Sequence, residues 1–260
     1  PESAEANTRR FVAGLPEYRA QGVLMVNLNV QGGHPLQGRT DVPDWQGSAQ
    51  DGTEGMRSIL HNSGFRADGS LDPDYFERIA WIIEACDKLH MVVNLQLFYF
   101  GQDPVFTDEE GVTAACDNAV DWLTDKGYAN VTVEIANEVM QGHYHHDILK
   151  PPRVHELIER VRSRAKEKNY PLYVSTSEAA LLSEGQWTIE TIDRTFSVSD
   201  FVLLHGGAVP EVLEKVELIR GRPWYGKRPV PIVFNETGGG LPVFRALVEA
   251  GVSFGLHSQV

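Results

Sequence analysis

Two β-rich runs of the sequence end in the same dipeptide, Asn137-Glu138 after VTVEIA and Asn235-Glu236 after PIVF. A pair of carboxyl groups can cleave a glycosidic bond, because one protonates the leaving oxygen while the other attacks or stabilises the anomeric carbon. A separation of about 5 Å between the two groups implies retention through a covalent intermediate. A single strand-end glutamate is more often a solvated terminus or an ion-pair partner, so the hypothesis depends on a fold that brings Glu138 and Glu236 together.

Seven β-rich runs recur along the chain, and each is nearly continuous in apolar residues. Strands that are buried on both faces of a parallel sheet have this pattern, and helices must then cover the sheet. The seven predicted strands are residues 22–30, 91–100, 131–137, 171–177, 200–206, 231–236 and 251–256.

The intervals between these runs predict the helices. Asp72 as N-cap and Pro73 at the first helical position begin a helix with a clear apolar stripe. Thr107 and Glu110 have capping-box spacing and predict the start of another. Further helices are expected to begin at Pro152 and Pro242, and residues 8–20 predict a helix that precedes the first strand.

Alternation of strands and helices favours a closed (β/α)8 barrel or an open doubly wound α/β sheet. No GxGxxG motif follows a strand, so the dinucleotide-binding version lacks its fingerprint and the (β/α)8 TIM barrel is favoured. We expect a single catalytic domain over residues 1–260, N-terminally incomplete, with seven strands evident and the first strand missing. In such a barrel both Asn-Glu pairs converge on the C-terminal mouth, beside the long irregular stretch 31–70.

Composition limits the partners of the chain. A formal charge of −13 repels polyphosphate, so we expect no nucleic acid, and no apolar stretch approaches the roughly 20 residues that span a bilayer. No signal peptide opens the sequence; the compartment stays open, and secretion or a periplasmic location is compatible with the composition. Cys86 and Cys116 are expected to be free and packed rather than bridged. The oligomeric state is not predicted.

The run VTVEIANEV resembles the strand-four signature of glycoside hydrolase clan A, especially its cellulase- and mannanase-like family five. The resemblance implies that Glu138 is the acid/base, that Glu236, at the end of the strand-seven run, is the nucleophile, and that Asn137 holds the sugar 2-hydroxyl. Glu134 also matches a glutamate often found on that strand, and His205 resembles the strand-six histidine near the nucleophile. The resemblance implies a retaining hydrolase of β-linked glycans that needs no cofactor.

Several positions depart from the family pattern. Asn27 stands where the family usually has arginine, Phe98 replaces the strand-three histidine, and Gly207 replaces the strand-six tyrosine. His257 and Ser258 stand where a tryptophan ends strand eight. These departures leave the substrate open, and they leave open a carbohydrate-binding barrel without catalysis.

Other residues could contact sugar or a metal. Gln31, Tyr99, Tyr144 and His257 are candidates for substrate binding because they stand at strand ends or in the loops that follow. The run from His143 to Asp147 could ligate a divalent metal in a metal-dependent barrel hydrolase or isomerase, but its spacing is a weak signal and a surface loop is favoured. The expected partner is a carbohydrate substrate, with no metal and no membrane.

Overall fold

A computed structural model describes residues 3–31, 63–141, 144–183 and 186–257. Every strand pairing in this part is parallel. The strands are β1 (Met25–Asn29), β2 (Val92–Phe98), β3 (Val131–Ala136), β4 (Tyr173–Ser175), β5 (Ser177–Glu178), β6 (Val202–Gly206), β7 (Ile232–Thr237) and β8 (Ser253–Leu256).

Helices alternate with these strands, so the predicted α/β class is confirmed. They are α1 (Ala4–Ala20), α2 (Pro73–Lys88), α3 (Glu109–Lys126), α4 (Val154–Glu167), α5 (Ile189–Val198), α6 (Val209–Arg220), α7 (Pro223–Lys227) and α8 (Gly240–Glu249). Within the described ranges, no helix is long and apolar enough to cross a membrane.

Two helix starts show how local sequence sets the elements. The side chain of Asp72 accepts a hydrogen bond from Tyr75 N (3.0 Å), so this residue caps α2 as predicted. The predicted capping box of α3 is wrong by one residue. Asp108 caps that helix by accepting from Gly111 N (3.0 Å), because its carboxylate reaches the free N–H groups of the first turn.

The strands form two four-stranded sheets with the orders β1-β2-β3-β4 and β5-β6-β7-β8. Only Thr176 separates β4 from β5, so these two strands are consecutive parts of one extended segment, which the sequence predicts as a single strand. At the far side, Asn27 Nδ2 on β1 donates to the carbonyl oxygen of Asn235 on β7 (3.2 Å). This bond brings the first and seventh strands together, as a sheet that curves back on itself requires.

The central strands are more deeply buried than the two end strands. Every residue of β2 after Val92 is buried, whereas β1 and β8 are only partly covered. Cys86 and Cys116 are buried and free, which confirms that prediction. The expectation of a strand before α1 stays a prediction, and most of the stretch from 31 to 70 lies outside the described residues.

Candidate active site

Glu138 follows the C-terminal end of β3 and has a left-handed backbone with φ of 46°. A non-glycine residue in this region is uncommon and is held there by its surroundings. Its side chain is 18% exposed, and Oε1 lies 2.7 Å from Nδ1 of His205. The carboxyl group is therefore largely shielded from water and fixed by an imidazole.

Glu236 reaches the same place from β7, with its side chain 25% exposed. Its Oε2 lies 3.7 Å from Nδ1 of His205 and 3.7 Å from Nδ1 of His257. One ligand atom each from Glu138, His205 and Glu236 all lie within 4.8 Å of one another. The two strand-end glutamates thus converge, and their carboxyl groups are close enough for a sugar carbon to be attacked from one and its leaving oxygen protonated by the other.

His205 is buried on β6 between the two carboxyl groups. Burial alone lowers the pKa of an imidazole, but the hydrogen bond to Glu138 and the negative charges of Glu236, Glu138 and Glu134 raise the pKa of His205 above its usual value. The opposite ring nitrogen, Nε2, has no hydrogen-bond partner among the described residues. His205 therefore directs its one paired nitrogen toward the carboxylates.

A buried polar layer supports Asn137. The amide oxygen of Asn137 accepts hydrogen bonds from Gln96 Nε2 (3.1 Å) and Ser177 Oγ (3.2 Å). Gln96 also donates to Glu134 (2.7 Å), which accepts a second bond from Asn94 Nδ2 (2.7 Å). Because Gln96 is itself held by the buried Glu134 carboxylate, its hydrogen bond fixes the position of the Asn137 side chain.

Glu134 is a support of this layer. Burial raises the pKa of its carboxyl group, although the nearby Ser177 hydroxyl, the charge of His205 and the hydrogen bonds from Gln96 and Asn94 oppose that rise. It is fully buried, so its oxygens are accessible to these protein groups and not to a ligand.

The remaining substrate-binding candidates divide into two groups. Tyr99 is half-buried near the pair: burial raises the pKa of its phenol, and the charges of Glu138, Glu236 and Glu134 raise it further. His257 is 42% exposed beside Glu236. Both can face a ligand, and their roles stay predictions.

Gln31 and Tyr144 are buried in contacts with the protein itself. Gln31 Nε2 donates to Ser63 Oγ (3.1 Å), and the Tyr144 hydroxyl donates to the carbonyl oxygen of Asn137 (2.6 Å). Tyr144 thus holds the backbone of the residue that precedes Glu138. Among the described residues, neither the Gln31 nor the Tyr144 side chain forms a hydrogen bond to Glu138 or Glu236. Direct contact of Gln31 or Tyr144 with a substrate stays a prediction.

The proposed metal run takes part in a loop contact instead. His145 N and His146 N donate to Oδ2 of Asp103 (2.7 and 2.8 Å), and Asp147 pairs with Lys150 (2.6 Å). His143 lies outside the described residues. Among those described, the one group of three or more potential ligands that could hold a metal is Glu138, His205 and Glu236.

Sequence reasoning missed Glu178, a fully buried carboxylate at the end of β5. Burial raises the pKa of Glu178 to about 7, opposed by hydrogen bonds from backbone N–H groups. In the sequence, Glu178 is a glutamate directly after a β-rich run, which is the same signal that identified Glu138 and Glu236. The prediction of that strand stops one residue earlier, at Ser177.

Phe98 does not occupy the place of a ligand-facing histidine. It is fully buried, and its ring packs 5.7 Å from that of Phe65 and 5.6 Å from that of Phe106. Tyr99, the first residue after β2, is the one whose phenol the charges of Glu138, Glu236 and Glu134 reach.

No protein-family profile and no curated protein matches the sequence. Solved structures do. The chain is similar to a trimodular GH5_4 subfamily endoglucanase, with a TM-score of 0.60 and 13% identity over 95% of this chain and 50% of that one. It spans half the length of that relative.

Two further structures extend the likeness. XacCel5A in complex with cellopentaose has a TM-score of 0.60 at 8% identity, over 95% of this chain and 80% of that one. An endo-1,4-beta-mannanase from Rhizomucor miehei has a TM-score of 0.54 at 13% identity, over 98% of this chain and 82% of that one. The structural neighbours are family-five cellulases and mannanases, and the fold of this chain is the α/β TIM-barrel fold of those glycoside hydrolases.

Proposed function

We propose that this chain is a retaining glycoside hydrolase that acts on a β-linked glycan or glycoside, with Glu236 as nucleophile and Glu138 as acid/base. The observation that carries the proposal is the convergence of Glu138, His205 and Glu236, one ligand atom from each within 4.8 Å. The spacing fits the roughly 5 Å between carboxyl groups that a double displacement needs.

In the first step, the Glu236 carboxylate attacks the anomeric carbon and forms a glycosyl ester. The bond between that carbon and the leaving oxygen breaks, and Glu138 gives its proton to the oxygen. In the second step, Glu138 takes a proton from water, the water oxygen attacks the anomeric carbon, and the ester bond to Glu236 breaks. Two inversions at one carbon give net retention, and no cofactor takes part.

His205 supports both steps through its hydrogen bond to Glu138 (2.7 Å). Against the effect of burial, the two carboxyl groups raise the pKa of His205, so a proton on its ring offsets their repulsion when both are ionised. Asn137, fixed through its amide oxygen by Gln96 and Ser177, keeps its Nδ2 donors for the 2-hydroxyl of the sugar. Tyr99 and His257 are the partly exposed neighbours that would contact substrate.

The structural neighbours support one substrate class for this proposal. One is an endoglucanase, one is described with cellopentaose and one is an endo-1,4-beta-mannanase. We therefore expect a β-linked glucose or mannose polymer as the carbohydrate partner.

We also infer that one strand is lacking between β8 and β1, since these two are the least buried strands and end the two sheets.

The test is an assay on β-glucans and β-mannans with wild type, E236A and E138A, with product stereochemistry followed by NMR. The proposal expects a β-configured product at first detection and loss of turnover in E236A. An α-configured first product, or wild-type turnover by E236A, contradicts it. The control E84Q removes a carboxylate from α2, where Glu84 accepts a hydrogen bond from the Tyr128 hydroxyl (3.0 Å), and should keep full activity.

A second candidate is a metal-dependent hydrolase, favoured by the same cluster, since two carboxylates and an imidazole are ligands for a divalent transition metal. Elemental analysis of the purified protein and assay after chelation separate the two. Stoichiometric metal that activity requires supports this candidate and removes the two-glutamate mechanism.

A further inference from the structure

Three consecutive buried residues at the junction of β4 and β5 contact the loop that carries Glu138. Thr176 Oγ1 donates to the carbonyl oxygen of Ala136 (2.6 Å). Glu178 Oε2 accepts from Met140 N (2.6 Å). The Glu138 backbone lies between these two anchors, and the loop is fastened on both sides of it.

The middle residue, Ser177, contacts Glu138 directly. Its Oγ accepts a hydrogen bond from Glu138 N (3.2 Å) and donates to Oδ1 of Asn137 (3.2 Å). Thr176, Ser177 and Glu178 are each fully buried, so these bonds are shielded from water. We call the three residues the clasp.

The clasp has a specific task, because the backbone of Glu138 is strained. A non-glycine residue at φ of 46° is uncommon and persists only where its surroundings hold it. Side-chain hydrogen bonds from the β4–β5 segment hold this backbone in place. The Glu138 carboxyl group itself contacts His205. The break between β4 and β5 at Thr176 coincides with these bonds.

Glu178 accepts backbone hydrogen bonds through both of its carboxyl oxygens. Its Oε1 accepts from Ala179 N (2.8 Å) and Ala180 N (2.6 Å), while Oε2 accepts from Met140 N. Both oxygens therefore face donors. A glutamine would turn its amide NH₂ toward the N–H of Met140 in one orientation and toward the N–H groups of Ala179 and Ala180 in the other. In either orientation hydrogen-bond donors face each other.

We propose that the clasp, Thr176-Ser177-Glu178, is a positioning element that holds the strained Glu138 backbone so that its carboxyl group can deliver a proton to the leaving oxygen. The inference rests on the proposed function, with Glu138 as acid/base. The clasp touches no reacting atom: Thr176 and Glu178 act through the loop that carries Glu138, and Ser177 also holds the amide of Asn137. Loss of the Glu178 contact therefore affects proton delivery rather than substrate binding or nucleophilic attack.

The experiment compares wild type, E178Q and S177A on two aryl β-glycosides of the sugar that wild type prefers. The 2,4-dinitrophenolate leaving group departs without protonation, whereas the 4-methylphenolate leaving group needs a proton from the acid. We expect kcat/KM in the 4-methylphenyl reaction to fall about 10- to 100-fold in E178Q, a part of the 10²–10⁴ that general acid catalysis contributes. The dinitrophenyl reaction should change less than about 3-fold, since acid catalysis contributes little to it.

S177A removes a smaller contact and keeps the proposal testable if E178Q does not fold. It should show the same selectivity with a smaller selective loss, together with a common loss on both substrates because Ser177 also holds Asn137, and E84Q should show neither. Equal losses on both substrates, or no loss in either variant, overturn the clasp while leaving the glycosidase proposal intact. Failure of wild type on every β-glycoside removes the proposed function and, with it, the role of the clasp.

Discussion

His205 lies directly opposite Glu236 in the β6–β7 ladder, although the register up to Leu204 would place Asn235 there. An irregularity between Leu204 and His205 skips Asn235, whose side-chain amide has no partner among the described residues. Such bulges redirect side chains beside active sites. Here the shift brings an imidazole next to a carboxylate and completes the cluster with Glu138.

Glu138 is expected to show the behaviour of an acid/base residue when it is removed. E138A should lower kcat/KM for glycosides of poor leaving groups by about 10²–10⁴-fold, because the leaving oxygen then departs without a proton. Glycosides of activated phenols should be cleaved in the first step almost as in wild type. Added azide, which needs no base, should accelerate their second step and yield a β-glycosyl azide; absence of that product contradicts the role.

His205 should stabilise the fold in a pH-dependent way. Its folded pKa is raised, so its contribution is fully present below the unfolded value of 6.5 and is lost as the pH rises through the folded pKa. The stability difference between wild type and H205Q, from urea unfolding, should therefore be greater at pH 5.5 than at pH 9. A difference that grows toward pH 9 is incompatible with the raised pKa.

Glu178 gives a second pH signature that does not depend on activity. Its pKa of about 7, against 4.5 when unfolded, means that the stabilising contribution of its proton is present below pH 4.5 and lost as the pH rises past 7. Each pKa unit corresponds to about 1.4 kcal/mol, so the loss is on the order of 3 kcal/mol. Unfolding curves at several pH values should show wild type losing stability relative to E178Q from pH 4.5 to 8. Parallel curves would refute this.

Phe98 is expected to be a core residue and not a ligand-binding one. F98A should lower the free energy of unfolding by about 3–5 kcal/mol, because it leaves a cavity between Phe65 and Phe106. Chemical denaturation measures the loss. Y99F, which keeps the ring and removes a half-buried hydroxyl, is the comparison: it should affect stability much less, and a larger loss in Y99F contradicts the core role of Phe98.

The sequence predicts the seven β-rich segments and the two glutamates because both signals are local. Continuous apolar runs identify strands buried on both faces, and a glutamate after such a run marks its carboxyl end. A buried polar layer could have been predicted as well, since Asn94 and Gln96 share one face of β2 and contact Glu134. Polar residues at alternate positions of an apolar strand indicate a polar layer inside the sheet.

Contacts between distant segments could not be predicted in this way. The clasp joins residues that are about 40 positions apart, and nothing in the run PLYVSTSE specifies which loop it meets. The opposition of His205 and Glu236 depends on a register shift that leaves no mark in composition. Both features follow from tertiary packing, which overrides local pattern.

The central claim, that Glu236 is the nucleophile of a retaining hydrolase, is tested most directly by trapping its covalent intermediate. The protein is incubated with the 2,4-dinitrophenyl 2-deoxy-2-fluoro-β-glycoside of its preferred sugar, and a peptide digest is analysed by mass spectrometry. The account predicts one fluoroglycosyl group per chain, attached to Glu236, with release of one equivalent of dinitrophenol. A label on any other residue, or dinitrophenol release without a covalent adduct, contradicts it.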